Sequence, residues 1–179
     1  MSARVVHTAG HGTRTAEELG TLLRQAAIGV VADVRSFPGS RRNPQHARTE
    51  LERWLPLAGI RYVWLGGSLG GRRKAIRRPE DSSNAAWLEP AFRNYADYLG
   101  TAEGAAGVVE LEGLACETPI AILCAERLFW RCHRRIIADA LCVRGWRVVH
   151  LLEPGKVQEH TLTAWARVTD GVLTYPALV

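Results

Sequence analysis

Lysine is nearly missing from this 179-residue sequence: Lys74 and Lys156 stand alone, and the remaining 21 of 23 cations are arginines. Part of that bias can reflect GC-rich coding, since alanine and glycine are plentiful too. Its chemical effect is the same either way: positive charge is carried by planar forks that match phosphate and carboxylate. Long apolar runs are also missing. The longest lies around Pro119–Ala125, far short of the roughly 18 residues a membrane helix needs. Met1–Gly10 lacks the apolar stretch of a signal peptide, so a soluble cytoplasmic protein with no membrane partner is the expectation. Cysteine is scarce, with four residues, which excludes a disulfide framework and leaves free thiols or a site. There is no Cys-x2-Cys, no His-Glu-x-x-His and no internal repeat. Otherwise the composition is that of an ordinary globular chain, which excludes disorder, collagen and coiled coil.

What charge there is sits unevenly. The net charge is +5. Residues 35–78 hold ten arginines and Lys74 against Glu50 and Glu52, a net of +9 that leaves −4 for the rest. Such a segment points to an anionic partner, either a small molecule or a nucleic acid. The bland alternative for the run Arg72–Arg78 is a solvated loop.

Along the chain, strands and helices alternate. Short apolar runs predict strands at 4–8, 29–33, 60–65, 119–123 and 146–152. Thr15 and Glu18 stand at capping-box spacing before Leu19, Leu22, Leu23 and Ala26, which predicts a helix. Leu51, Trp54, Leu55 and Ala58 predict a second, shortened or bent by Pro56. Helices are expected at Pro90–Leu99, Ala102–Ala115 and Cys132–Arg144, and a short one at Gln158–Arg167. Gly66–Asn84 reads as a long loop, either mobile or held by its neighbours, with most arginine heads exposed. Asp170-Gly171 reads as the turn of a terminal hairpin. The pattern predicts a single α/β domain over 1–179. Its core, about 4–152, is a mainly parallel five-stranded sheet with helices on both faces, and about 153–179 forms an appendage.

A parallel sheet collects its strand C-termini on one edge, where ligands bind. His11 follows the first strand, Asp33 and Arg35 end the second, Cys124 and Glu126 follow the fourth, and Cys132, His133 and Arg134 open the next helix. Four segments thus deliver reactive side chains to one edge.

Those residues also carry a resemblance. The motifs are Gly10-His11, Asp33-Val34-Arg35-Ser36-Phe37-Pro38, Ser40-Arg41-Arg42-Asn43-Pro44, Gly59-Ile60-Arg61-Tyr62-Val63, and Cys124-Ala-Glu-Arg-Leu-Phe-Trp-Arg-Cys-His-Arg-Arg135. Spanning about residues 7–151, they resemble the family catalogued as domain of unknown function 488. Gly12 and Thr13 replace the small polar residue that usually follows its first histidine. The resemblance implies an α/β domain with a shared polar site and no established reaction.

Several chemistries remain open. Cys132, expected in a helical first turn among arginines, could be a low-pKa thiol, and Cys124 a second. The Cys124–Arg131 spacing is one residue longer than the Cys-x5-Arg loop of thiol phosphatases and lacks its glycine. A rhodanese-like sulfur carrier is another candidate, and simple apolar packing of the cysteines, as expected for Cys116 and Cys142, is a third. Cys124, Cys132 and His133, with His11, could ligate a metal. Neighbours on a helix diverge by about 100°, however, so no metal is expected, and no motif names a cofactor. Asp33 could orient His11 or His133 as a general base, or hold an arginine. Trp64, Trp87 and Trp130 could stack bases or merely pack. His7, His46, His150 and His160 lie in no motif.

Two function classes follow. One is a small enzyme acting on a phosphate- or nucleotide-containing substrate. Its candidate catalytic residues are His11, Asp33, Cys124, Glu126, Cys132 and His133, and its candidate substrate-binding residues are Arg35, Ser40, Arg41, Asn43 and Arg134. The other is a nucleic-acid-binding or adaptor protein in which the cysteine cluster is structural or redox-sensing.

Overall fold

The computed structural model describes residues 4–39 and 41–177. Five parallel strands, β1 (Val5–Gly10), β2 (Val30–Asp33), β3 (Arg61–Trp64), β4 (Ile120–Cys124) and β5 (Arg147–Glu153), form the sheet. A sixth strand, β6 (Lys156–Glu159), adds antiparallel to β5, giving the order β3-β2-β4-β1-β5-β6. Alternation along the strands divides the core in two. Val30, Ala32, Ile120 and Ile122 face one side, and Val31, Ala121 and Leu123 the other.

Helices α1 (Ala16–Gln25) and α2 (Arg48–Leu57) cover the second side through Leu19, Leu22, Leu23, Leu51 and Leu55. The capping box of Thr15 and Glu18 starts α1, and Pro56 falls in the last turn of α2. The first side is covered by α4 (Pro90–Leu99), α5 (Ala102–Glu117) and α6 (Arg134–Val143). Between β3 and α4 comes the single turn α3 (Gly66–Leu69).

The expected helix at 158–167 is a correction. Gly155 turns the chain at φ +74°, and Lys156–Glu159 pairs with β5, aided by an Arg147–Glu159 ion pair of 2.9 Å. Pairing satisfies the edge of β5, which a short helix would leave bare. The terminal hairpin forms as expected. Strands β7 (Arg167–Thr169) and β8 (Val172–Thr174) flank Asp170-Gly171, and both turn residues have positive φ, as a two-residue hairpin loop requires. The segment after β5 also feeds the core. Tyr175 is buried against Trp87 and donates its hydroxyl hydrogen to Asp139 Oδ2 at 2.7 Å.

Residues 66–84 are held by neighbours. The Arg72 amide bonds Ser36 Oγ, Arg73 lies 3.7 Å over the Tyr98 ring, and Ser82 and Asn84 both bond Asp97. Arg72, Lys74, Arg77 and Arg78 remain exposed.

Because β4 lies between β1 and β2, the loops after β1 and β2 leave on either side of the β4 end. They are knit to it: His11 N bonds Cys124 O, Gly12 N bonds Ala125 O, and Val34 N bonds Leu123 O, at 2.9–3.0 Å. Gly10 permits this approach, since a Cβ there would collide with the Glu126 carbonyl. A crevice of this kind at the strand C-termini is where doubly wound sheets bind ligands.

Candidate functional site

The crevice is a groove of two lobes. One, about 570 Å³, is lined by His11, Gly12, Arg41, Arg42, Asn43 and Arg127. The other, about 490 Å³, is lined by Ser36, Arg72, Arg131, Cys124, Cys132 and His133. Arg35, Phe37, Ala125 and Glu126 line both and form the saddle between them. Six arginines thus face one carboxylate, that of Glu126. Glu126 is exposed and accepts the Leu128 amide at 3.1 Å. Ser40 lies outside the described residues.

Arg35 is fixed before any ligand arrives. Its Nε and Nη2 donate to the two oxygens of fully buried Asp33 at 2.8 and 2.6 Å, and its Nη1 donates to His11 Nε2 at 3.1 Å. Asp33 also accepts the Arg35 amide and the Tyr62 hydroxyl. With four donors on its oxygens, Asp33 holds an arginine, one of the two roles open to it from sequence, and orients neither His11 nor His133. His11 Nδ1–H donates to Gly12 O at 2.9 Å, leaving Nε2 as the acceptor for Arg35. Burial lowers the His11 pKa to about 4, outweighing its bond to Gly12 O, so this ring is neutral at pH 7. His46 stacks on it at 4.3 Å.

In the other lobe, Cys124 ends β4, while Cys132 and His133 precede α6. The expected helical first turn for Cys132 is corrected. Its backbone is extended (φ −134°, ψ 147°), and His133 is the N-cap residue. The 100° divergence of helical neighbours therefore does not apply, and the two side chains converge. His133 Nδ1 lies 3.6 Å from Cys132 Sγ and 4.0 Å from Cys124 Sγ. Its Nε2–H donates to Val34 O at 3.1 Å. Gly71 lies against the face of this ring, where a Cβ would collide, and Tyr95 meets it edge-on at 4.9 Å. These three side chains are the set that could hold a metal ion, their donor atoms lying within 4.8 Å of one another. The bond to Cys132, together with burial, raises the Cys124 thiol well above its usual pKa. Burial opposes charge on Cys132 as well. The bond from Cys124 and the nearby His133 and Arg134 outweigh it and bring that thiol well below its usual value.

Arg134 does not line the groove. It is 1% exposed, donating from Nε to Cys132 Sγ at 3.4 Å, from Nη1 to Thr8 Oγ1 at 3.2 Å, and from Nη2 to Glu126 O. Among the described residues it pairs with no carboxylate. Behind it runs a chain that sequence reasoning missed. The Thr8 hydroxyl contacts His150 Nδ1 (2.8 Å), His150 Nε2 contacts His160 Nδ1 (2.9 Å), and His160 Nε2 contacts Asp139 Oδ1 (2.8 Å). The two ends have fixed donors: His160 Nε2–H donates to the Asp139 carboxylate, and Arg134 donates to Thr8. One buried cation and one buried anion thus terminate a single hydrogen-bonded chain. Burial, His160 and Arg134 together hold His150 down at about 3. Residues 8, 134, 139, 150 and 160 share no short motif, and no spacing reveals them.

The remaining candidates are spread out. Trp87 packs in the core with Trp165 and Tyr175, Trp64 bonds Arg35 O, and Trp130 is 44% exposed. Cys116 is exposed and Cys142 half-buried, so only the second packs as expected.

The family model described as "Domain of unknown function DUF488" matches residues 15–141. No curated protein and no solved structure matches the chain.

Proposed function

Since the chain belongs to the domain of unknown function DUF488 family, whose description names no reaction, we propose a function from the groove itself: an enzyme that binds a phosphate- or nucleotide-containing anion there and acts on it beside Cys124, Cys132 and His133. One observation carries this reading. Of the ten arginines between 35 and 78, Arg35, Arg48, Arg53, Arg61 and Arg78 are ion-paired to carboxylates, and Arg73 is spent on the Gly67 and Gly70 carbonyls. Among the described residues, Arg41, Arg42, Arg72 and Arg77 have no carboxylate partner, and the first three line the groove. Positive charge without an internal counter-ion is concentrated where the reactive side chains open.

The roles divide accordingly. Arg35, held rigid by Asp33 and His11, offers an anion at the saddle only the Nη1 and Nη2 hydrogens that those bonds leave over. Arg41, Arg42 and Arg72 close on it from the loops, with Asn43 beside them. Phe37, 73% exposed on the saddle, offers an apolar face that favours a nucleotide over bare phosphate. His11, neutral and already accepting from Arg35, positions that arginine and is not placed to act as a base. Cys132 and His133 are the reacting side, with Cys124 against both.

Calorimetric titration with pyrophosphate, a nucleoside triphosphate and the uncharged nucleoside tests the reading, alongside a turnover assay on the anion that binds. Binding of the anions alone, weakened by Arg41→Ala and Arg72→Ala, and turnover lost in Cys132→Ser with binding kept, are expected. The arginine-rich loops also suit a polymer. If only long DNA or RNA binds, with a steep salt dependence and no competition from pyrophosphate, the binding-module reading replaces this one.

A further inference from the structure

We propose that Cys124, Cys132 and His133 form a zinc site with three protein ligands and an open position facing the groove. The first argument is geometric. Tetrahedral zinc, with Zn–S near 2.3 Å and Zn–N near 2.0–2.1 Å, sets its ligand atoms about 3.5–3.8 Å apart. The Nδ1-to-sulfur separations of 3.6 and 4.0 Å already approach that spacing, and all three donor atoms lie within 4.8 Å of one another. A proton can bridge only two of these atoms at a time, whereas an ion at their centre engages all three.

The second argument is the surroundings. A ligating histidine characteristically gives its other N–H to a carbonyl or carboxylate, which fixes the tautomer and aims the free nitrogen at the metal. His133 does this through the Val34 carbonyl. Gly71 and Tyr95 then hold the ring in place. Arg134 donates to Cys132 Sγ, an N–H···S contact suited to a thiolate, and its charge has no carboxylate partner among the described residues. Two thiolates and zinc are together neutral, so the buried guanidinium faces a sulfur carrying negative charge rather than an uncompensated cation.

The donor set selects the ion. Two thiolates and an imidazole suit zinc and other soft or borderline metals, and do not suit magnesium or calcium. All three side chains line this lobe of the groove. That leaves the fourth position for a water or an oxygen of the ligand. The three-ligand, one-open pattern is that of catalytic rather than structural zinc. The ion's role toward substrate rests on the groove reading; its binding does not.

The experiment uses the full chain, stripped of metal and titrated with Co2+ in place of zinc. One equivalent should produce thiolate-to-cobalt charge-transfer absorption and the intense visible bands of a tetrahedral site, and zinc should displace it. Cys124→Ser, Cys132→Ser and His133→Gln should each lose the one-to-one spectrum, with far-UV circular dichroism reporting whether each remains folded. Cys116→Ser and Cys142→Ser should keep it. Failure of the wild-type protein to bind one equivalent, or an unchanged spectrum in folded Cys124→Ser or Cys132→Ser, overturns the site. The wild-type titration decides even if every ligand variant unfolds. Pyrophosphate binding by the metal-free protein, without stoichiometric cobalt binding, defeats this inference alone. Cobalt binding without any anion binding defeats the groove reading alone.

Discussion

Asp33 grips Arg35 through both carboxylate oxygens at 2.6 and 2.8 Å, two residues along the same strand end, with neither side chain more than 6% exposed. The pair keeps a guanidinium rigid at the saddle of the groove. Removing the carboxylate leaves a buried cation unpaired, a change that typically costs about 3–5 kcal/mol. Asp33→Asn should lower urea-unfolding stability by that order. Tyr62→Phe, which removes one hydrogen bond to the same carboxylate, should cost about 1.5–3 kcal/mol. Equal, near-zero losses in both would mean that the saddle is not preorganised.

The groove arginines should act as anion contacts. Each charge-assisted contact is worth roughly 1–2 kcal/mol, or about 5–30-fold in affinity. Arg41→Ala and Arg72→Ala should weaken pyrophosphate binding by about that factor, measured by calorimetry at fixed salt. Arg77→Ala, exposed and away from the groove lining, should leave it unchanged. A uniform small loss across all three would indicate a diffuse field instead of a site.

Phe37 sorts substrates. Aromatic–base stacking contributes about 1–3 kcal/mol by alanine substitution. Phe37→Ala should therefore reduce nucleotide affinity by about 5–150-fold and spare pyrophosphate. If both fall together, Phe37 shapes its loop and the ligand has no base.

Acid should destabilise the fold above the range in which carboxylates titrate. His11 and His150 have folded pKa values of about 4 and about 3, below the unfolded value near 6.5. The unfolded chain therefore takes up protons first. Stability is full above pH 6.5 and falls as pH drops from there toward the folded values. The groups facing His150 are His160, Arg134 and Thr8, with Phe129 stacked at 3.5 Å. Asp139, whose pKa is lowered, contributes stability that is lost only below its unfolded value near 3.8, so it does not compete in the window. Urea midpoints measured at pH 7, 6, 5 and 4.5 should decline steadily, and His150→Asn should flatten the decline whatever its own cost. A flat profile in the native protein would show that these rings protonate without unfolding.

The five parallel strands and both helical layers were legible because buried strands read as continuous apolar runs and the capping residues stood at their spacing. The convergence of His11, Arg35, Cys124 and His133 followed from parallel strands sharing one edge. Two things were not legible. Cys132 lies in extended backbone because a 3-10 turn, Phe129–Arg131, delays the helix, and no propensity distinguishes that from an earlier start. The hydrogen-bonded chain from Arg134 to Asp139 depends on β6 and the tail returning to the sheet, so His150 and His160, isolated in sequence, become neighbours through pairing ten residues apart.

Imidazole NMR during a pyrophosphate titration tests the groove most directly. Long-range proton–nitrogen spectra of nitrogen-15-labelled protein at pH 7 resolve the tautomer of each histidine. Before ligand, His11 should show the Nδ1–H form. On titration the His11 and His133 resonances should shift along one saturation curve, while His150 and His160 stay fixed. Saturable binding that moves neither His11 nor His133 would place the anion elsewhere on the arginine surface and contradict an active groove at this edge.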